Sequence, residues 1–127
     1  MQDLHIAATS TSPEVDFRFS EHRLSLTGES YPENAAAFYG PIIDALRDYL
    51  DQTADQVIEV VVELKYFNSS STKVLFNIFD LLHAATGANT VNLKWCHDEE
   101  DDTVLEFGND LHEDFPEINY FPVATVA

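Results

Sequence analysis

The chain has 127 residues, 45% of them apolar, and carries 23 acidic against six basic residues for a formal charge of −17. That length and apolar share suit one globular α/β domain over residues 1–127 and exclude a disordered chain. The charge excludes nucleic acid and anionic membrane surfaces as partners, because both would be repelled, and leaves a basic protein surface as a suitable one.

Residues 1–13 are rich in Ser, Thr and Ala and read as a loosely held arm ending at Pro13. They lack the basic and apolar regions of a secretory signal. VDFRF (15–19) and RLSLTGES (23–30) read as two short strands joined by the turn SEH, with Leu24 and Leu26 alternating with Ser25 and Thr27 and Gly28 marking the end. Residues 31–52 read as a helix. Pro32 suits its first turn, where a missing N–H costs nothing. Tyr39, Ile42, Ile43, Leu46 and Leu50 form its apolar stripe. Gly40-Pro41 predicts a kink there, or a second helix starting near Pro41.

VIEVVVELKYF (57–67) is the strongest strand. Ile58, Val60, Val62, Leu64 and Tyr66 share one face, and Val57, Val61 and Phe67 the other, as in a central strand. Residues 70–87 read as a helix with Leu75, Ile78, Phe79, Leu82 and Ala85 as its core stripe and Gly87 as its stop. A strand with Val91, Leu93 and Trp95 inward follows, then a helix over 101–115 weakened by Gly108, then a short strand at INYFPV (118–123). The order β-β-α-β-α-β-α-β predicts a sheet with parallel crossover pairs covered by helices.

The stretch NSSSTK (68–73) joins the central strand to its helix. The first four N–H groups of a helix lack internal partners, and one Asn or Ser side chain suffices as a cap, worth about 1 kcal/mol. Asn68 with Ser69, Ser70 and Ser71 exceeds that need. Simple capping is one explanation of the surplus. A phosphorylation site is the other, because a helix N-terminus favours an anion and Lys65 and Lys73 flank the serines.

Phe76 falls on the otherwise polar side of its helix, either offered to a partner or covered by a neighbouring element. CHDEEDD (96–102) matches neither an EF-hand loop nor a paired Cys/His zinc site, so a solvated acidic turn is preferred and no metal or cofactor is expected. Ten residues between 98 and 117 are acidic and none is Lys or Arg, which suits either a docking face or a solubilising surface. Catalysis is not expected. The serines could pair with His83, His97 or His112, but no nucleophile elbow, Walker loop or H-E-x-x-H is present. Cys96 is the one cysteine, which fits a reducing cytoplasm.

GESYPEN (28–34), YFNSSSTK (66–73), NIFDLL (77–82) and VNLKW (91–95), in this order and spacing, resemble the SiaC family of bacterial regulatory phosphoproteins over nearly the whole chain. The resemblance implies a STAS-like mixed sheet of about four to five strands. It implies a partner switch in which the unphosphorylated form binds and activates a diguanylate cyclase. A GHKL-type kinase blocks this by phosphorylation, and a PP2C-like phosphatase reverses it. Asn68 matches the family's strand-end Asn, Ser69 its acceptor, and Ser70 and Ser71 the following pair, which rank second as acceptors. Tyr31, Pro32, Glu33 and Asn34 match a stretch beside the switch surface, to which Lys73 and Phe76 are added by position. The alternatives are an anti-sigma-factor antagonist of the STAS type and a small-ligand-binding module.

Overall fold

Alternating apolar residues and capped apolar stripes produce six strands and three helices in the described residues, 2–126, of a computed structural model. The elements are β1 (Leu4–Ile6), β2 (Glu14–Arg18), a 3-10 turn (Phe19–Glu21), β3 (Arg23–Ser30), α1 (Ala35–Asp51), β4 (Val57–Phe67), α2 (Ser69–Ala85), β5 (Thr90–Asp98), α3 (Asp102–Asp114) and β6 (Asn119–Thr125). They form one mixed sheet in the order β1-β2-β3-β4-β5-β6, identical to chain order. The first two pairings are antiparallel and the last three parallel.

Right-handed crossovers between neighbouring parallel strands place all three helices on one face. Burial follows: Leu24, Leu26, Ile58, Val60, Val62, Val91, Leu93 and Trp95 are sealed beneath the helices. The other face stays open to solvent. There Glu59, Asn92 and Asn119 are linked across three strands, by Asn92 Nδ2 donating to Glu59 at 3.1 Å and Asn119 Nδ2 donating to Asn92 at 2.9 Å.

Several expectations need correction. The sheet has six strands rather than four to five, because residues 4–6 of the supposed arm pair with β2. The rest of that segment is also tied down: Ser12 is buried, and Tyr31 N donates to Thr11 O at 2.7 Å. Gly28 does not end β3, which continues to Ser30; its φ of 125° lies where a side chain would be strained. The helix after β3 starts at Ala35, so Pro32 lies in the loop, and Asn34 is the cap. That helix runs unbroken through Pro41, which faces solvent, where water can satisfy the carbonyl it leaves unpaired.

The pairing of β3 with β4 skips Lys65: Gly28 faces Leu64, but Glu29 faces Tyr66. This bulge reverses the alternation after Leu64. Tyr66, expected inside, is 51% exposed. Phe67, expected on the other face, turns inward with its ring 4.9 Å from Phe107 and 6.4 Å from Trp95.

Gly108 is a close-approach residue rather than a weakness. A Cβ there would lie 2.4 Å from Trp95 Cδ1 and 2.6 Å from Tyr120 Oη. Trp95 is itself held by a 2.8 Å bond from Nε1 to Val104 O.

Candidate functional site

Because β3, β4 and β5 run parallel, their C-terminal ends deliver three strand-to-helix turns to one edge of the sheet. Helices α1 and α2 both begin there, each with an asparagine cap. Asn34 Oδ1 accepts from Ala37 N and Asn68 Oδ1 from Ser71 N, both at 3.0 Å. Asn68 is anchored in turn. Its N–H donates to Ser30 O at 3.1 Å, and its carbonyl accepts from the Thr72 hydroxyl at 3.1 Å. Replacing Asn68 by alanine leaves Ser71 N–H without its acceptor. The expected loss is about 1 kcal/mol of folding stability, read from urea denaturation.

The three serines have different fates. Ser69 and Ser70, the first two residues of α2, are exposed. Ser71 is fully buried, and its Oγ accepts from Ser30 Oγ at 2.8 Å. Ser30 Oγ lies 2.6 Å from Tyr39 Oη, also fully buried. Burial pushes the Tyr39 phenol up, so it stays neutral and hydrogen-bonding. This chain of three hydroxyls locks the start of α2 to β3 and α1. It removes Ser71 from the set of accessible acceptors.

Around Ser69 the edge is aromatic and polar. Tyr31 and Tyr66 meet edge-to-face with centroids 5.6 Å apart. Glu33, Asn34 and Lys73 are exposed, and Pro32 is half-buried. The first turn of α2 holds no acidic side chain, so the positive end of its dipole is uncompensated. Phe76 is half-buried. Its ring lies 5.5 Å from Phe107 of α3 and 6.3 Å from Phe115 just beyond that helix, so a neighbouring element covers part of it.

No serine–histidine pair forms among the described residues. His83 pairs with Glu117, which lowers that carboxyl below its ordinary value. His97 Nδ1 meets Asp98 O at 3.0 Å, and His112 stacks on Tyr120 at 5.1 Å. In the acidic turn Asp101 caps α3 through Val104 N at 3.1 Å, and Asp98 accepts from Glu100 N at 2.8 Å. No group of three or more His, Cys, Asp or Glu side chains among the described residues is placed to hold a metal ion.

Sequence patterning missed Ser30 and the Tyr39 hydroxyl. One signal was available: a tyrosine in a core stripe needs a partner for its O–H, and Ser30 is a polar residue at a core-facing position of β3.

Comparison with known proteins places this geometry among relatives. A family model described as SiaC family regulatory phosphoprotein matches residues 6–123. A protein of Pseudomonas aeruginosa (strain UCBPP-PA14), itself uncharacterized, is 36% identical over 115 residues, 90% of each chain. The structure of apo-SiaC from Pseudomonas aeruginosa superposes with a TM-score of 0.88 at 34% identity, covering 98% of this chain and all of the other. SiaC in its complex with the diguanylate cyclase SiaD, which it activates, superposes with a TM-score of 0.89 at 33% identity, covering 97% of this chain and all of that one.

Proposed function

Because the chain belongs to the SiaC family of regulatory phosphoproteins, we propose that it is a non-catalytic switch whose unmodified form binds and activates a diguanylate cyclase. A GHKL-type kinase phosphorylates Ser69 and so blocks that complex, and a PP2C-like phosphatase restores it. The observation that carries this reading is the position of Ser69, exposed as the first residue of α2 and on the same edge as Tyr31, Glu33 and Asn34. An acceptor there is open to a kinase, and its phosphate would stand in the middle of the surface a partner must cover. The likeness to SiaC in its complex with SiaD supports the choice of target. The proposed location is the cytoplasm, which suits the free buried thiol of Cys96.

Mass spectrometry of the protein isolated from its host tests the site. The expected result is one phosphate on the tryptic peptide containing residues 66–73, fragmenting to Ser69 and lost in Ser69→Ala. Phosphate on Ser70 instead moves the switch by one residue. A peptide never modified in the presence of the kinase sinks the proposal.

A further inference from the structure

We propose that the open face of the sheet docks a second copy of this chain, face to face, with Phe121 of each copy seated on β3 of the other. The strand registers define that face row by row. One row runs Arg18, Arg23, Glu59, Asn92, Asn119 from β2 to β6, and the next runs Asp16, Ser25, Val61, Lys94, Phe121. Residues directly opposite one another share a face, and here it is the one without helices. At one end of the second row Phe121 is 53% exposed. Towards the other end lies a depression of about 180 Å³ whose lining includes Arg18, Arg23, Ser25, Glu59 and Val61.

Charge selects the occupant. These two rows hold three of the chain's six basic residues and two of its 23 acids, Asp16 and Glu59. The rest of the surface is strongly acidic, so a second copy is repelled there and accepted here. Arg23 and Lys94 form no ion pair among the described residues, which leaves both charges available to a partner. The face is also complementary to itself, as a twofold contact requires. An axis parallel to the strands, between β4 and β5, lays β3 over β6 and β4 over β5 of the second copy. Phe121 then meets Ser25 and the arginines of the depression, whose guanidinium groups favour an aromatic face. Lys94 lies over Val61 of the second copy, with Glu59 and Glu63 two residues to either side, about 7 Å along the strand. Strand-to-strand pairing is disfavoured by comparison, because Pro122 in the middle of edge strand β6 offers no N–H. Four strands about 4.8 Å apart, over some seven residues each, bury roughly 400–500 Å² per copy, the size of a weak and reversible dimer. Because the axis follows the strands, both copies present their Ser69 edges at the same end.

Sedimentation equilibrium of the full chain, from about 10 to about 500 µM, tests this. The expected result is a monomer–dimer equilibrium that Phe121→Asp weakens at least tenfold. Lys94→Glu and Glu59→Lys are each expected to stay monomeric alone, because each sets like charges opposite one another in both halves of the contact. Mixed in equal amounts, they are expected to dimerise again: one half of the contact then keeps the native Lys94–Glu59 pair, and the other carries it reversed. Circular dichroism checks that every variant is folded before mixing, and a loss of folding cannot imitate the recovery. A native chain that stays monomeric throughout, a dimer that Phe121→Asp leaves intact, or an equal mixture of the two folded charge variants that does not recombine overturns the proposal. So does a chain that is monomeric alone and whose open face captures a different protein.

Discussion

Ser69→Asp is expected to weaken the complex with the cyclase by about thirtyfold or more, whereas Ser69→Ala binds like the unmodified chain. The difference follows from where the side chain sits. An exposed serine at the first position of α2 contributes one small hydroxyl to the contact surface, so its removal changes little. An anion there must either keep its hydration, which holds the partner off, or lose it on docking. Juxtaposed charge or uncompensated desolvation costs roughly 2 kcal/mol or more at an interface, which corresponds to about thirtyfold in affinity. The helix dipole offsets the free protein's share of that cost, so folding is barely affected. Binding and melting should therefore be measured on the same samples. Equal cyclase affinity for Ser69→Ala and Ser69→Asp, at native stability, would remove the basis for a switch at this position.

Gly108→Ala is expected to lower folding stability by about 2 kcal/mol and the melting temperature by roughly 5–10 °C. On an exposed helix the same change would stabilise by about 1 kcal/mol through helix propensity. Here the new methyl would sit 2.4 Å from Trp95 Cδ1, 2.5 Å from its Nε1 and 2.6 Å from Tyr120 Oη. Trp95 is 1% exposed, and its ring is fixed by Val104 O and by contacts with Phe67, Phe79 and Phe107. It cannot yield without moving α3 as a whole. Overpacking of this kind typically costs 1–3 kcal/mol, enough to reverse the propensity gain. A melting temperature equal to or above native would show that α3 lifts freely from the sheet.

The elements with long, regular alternation were readable in advance. Val57–Phe67 and Ser69–Ala85 appear almost where the apolar spacing puts them, because eleven or more residues give the pattern room to repeat. Three-residue β1 has no such room, and its pairing depends on β2 rather than on its own composition. Strict alternation puts Tyr66 and Phe67 on the wrong faces because the bulge at Lys65 is a backbone event with no side-chain signature. Pro32 fits a first helical turn, which places the predicted start of α1 too early; the cap bond from Ala37 N to Asn34 sets it at Ala35. The serine run showed where the functional edge would be. That Ser71 belongs to the interior follows from Ser30 and Tyr39, which reach it from distant parts of the chain.

The sheet order, identical to chain order, has a consequence for how the molecule is made. Each new strand finds its neighbour already in place as the one synthesised just before it, so no segment waits for a later one to fill a gap between strands. Loop closures stay short, which favours rapid folding and limits the time apolar strand edges spend unpaired. Assembly can proceed in step with translation, the β1–β2–β3 meander first and one strand–helix unit after another onto its growing edge.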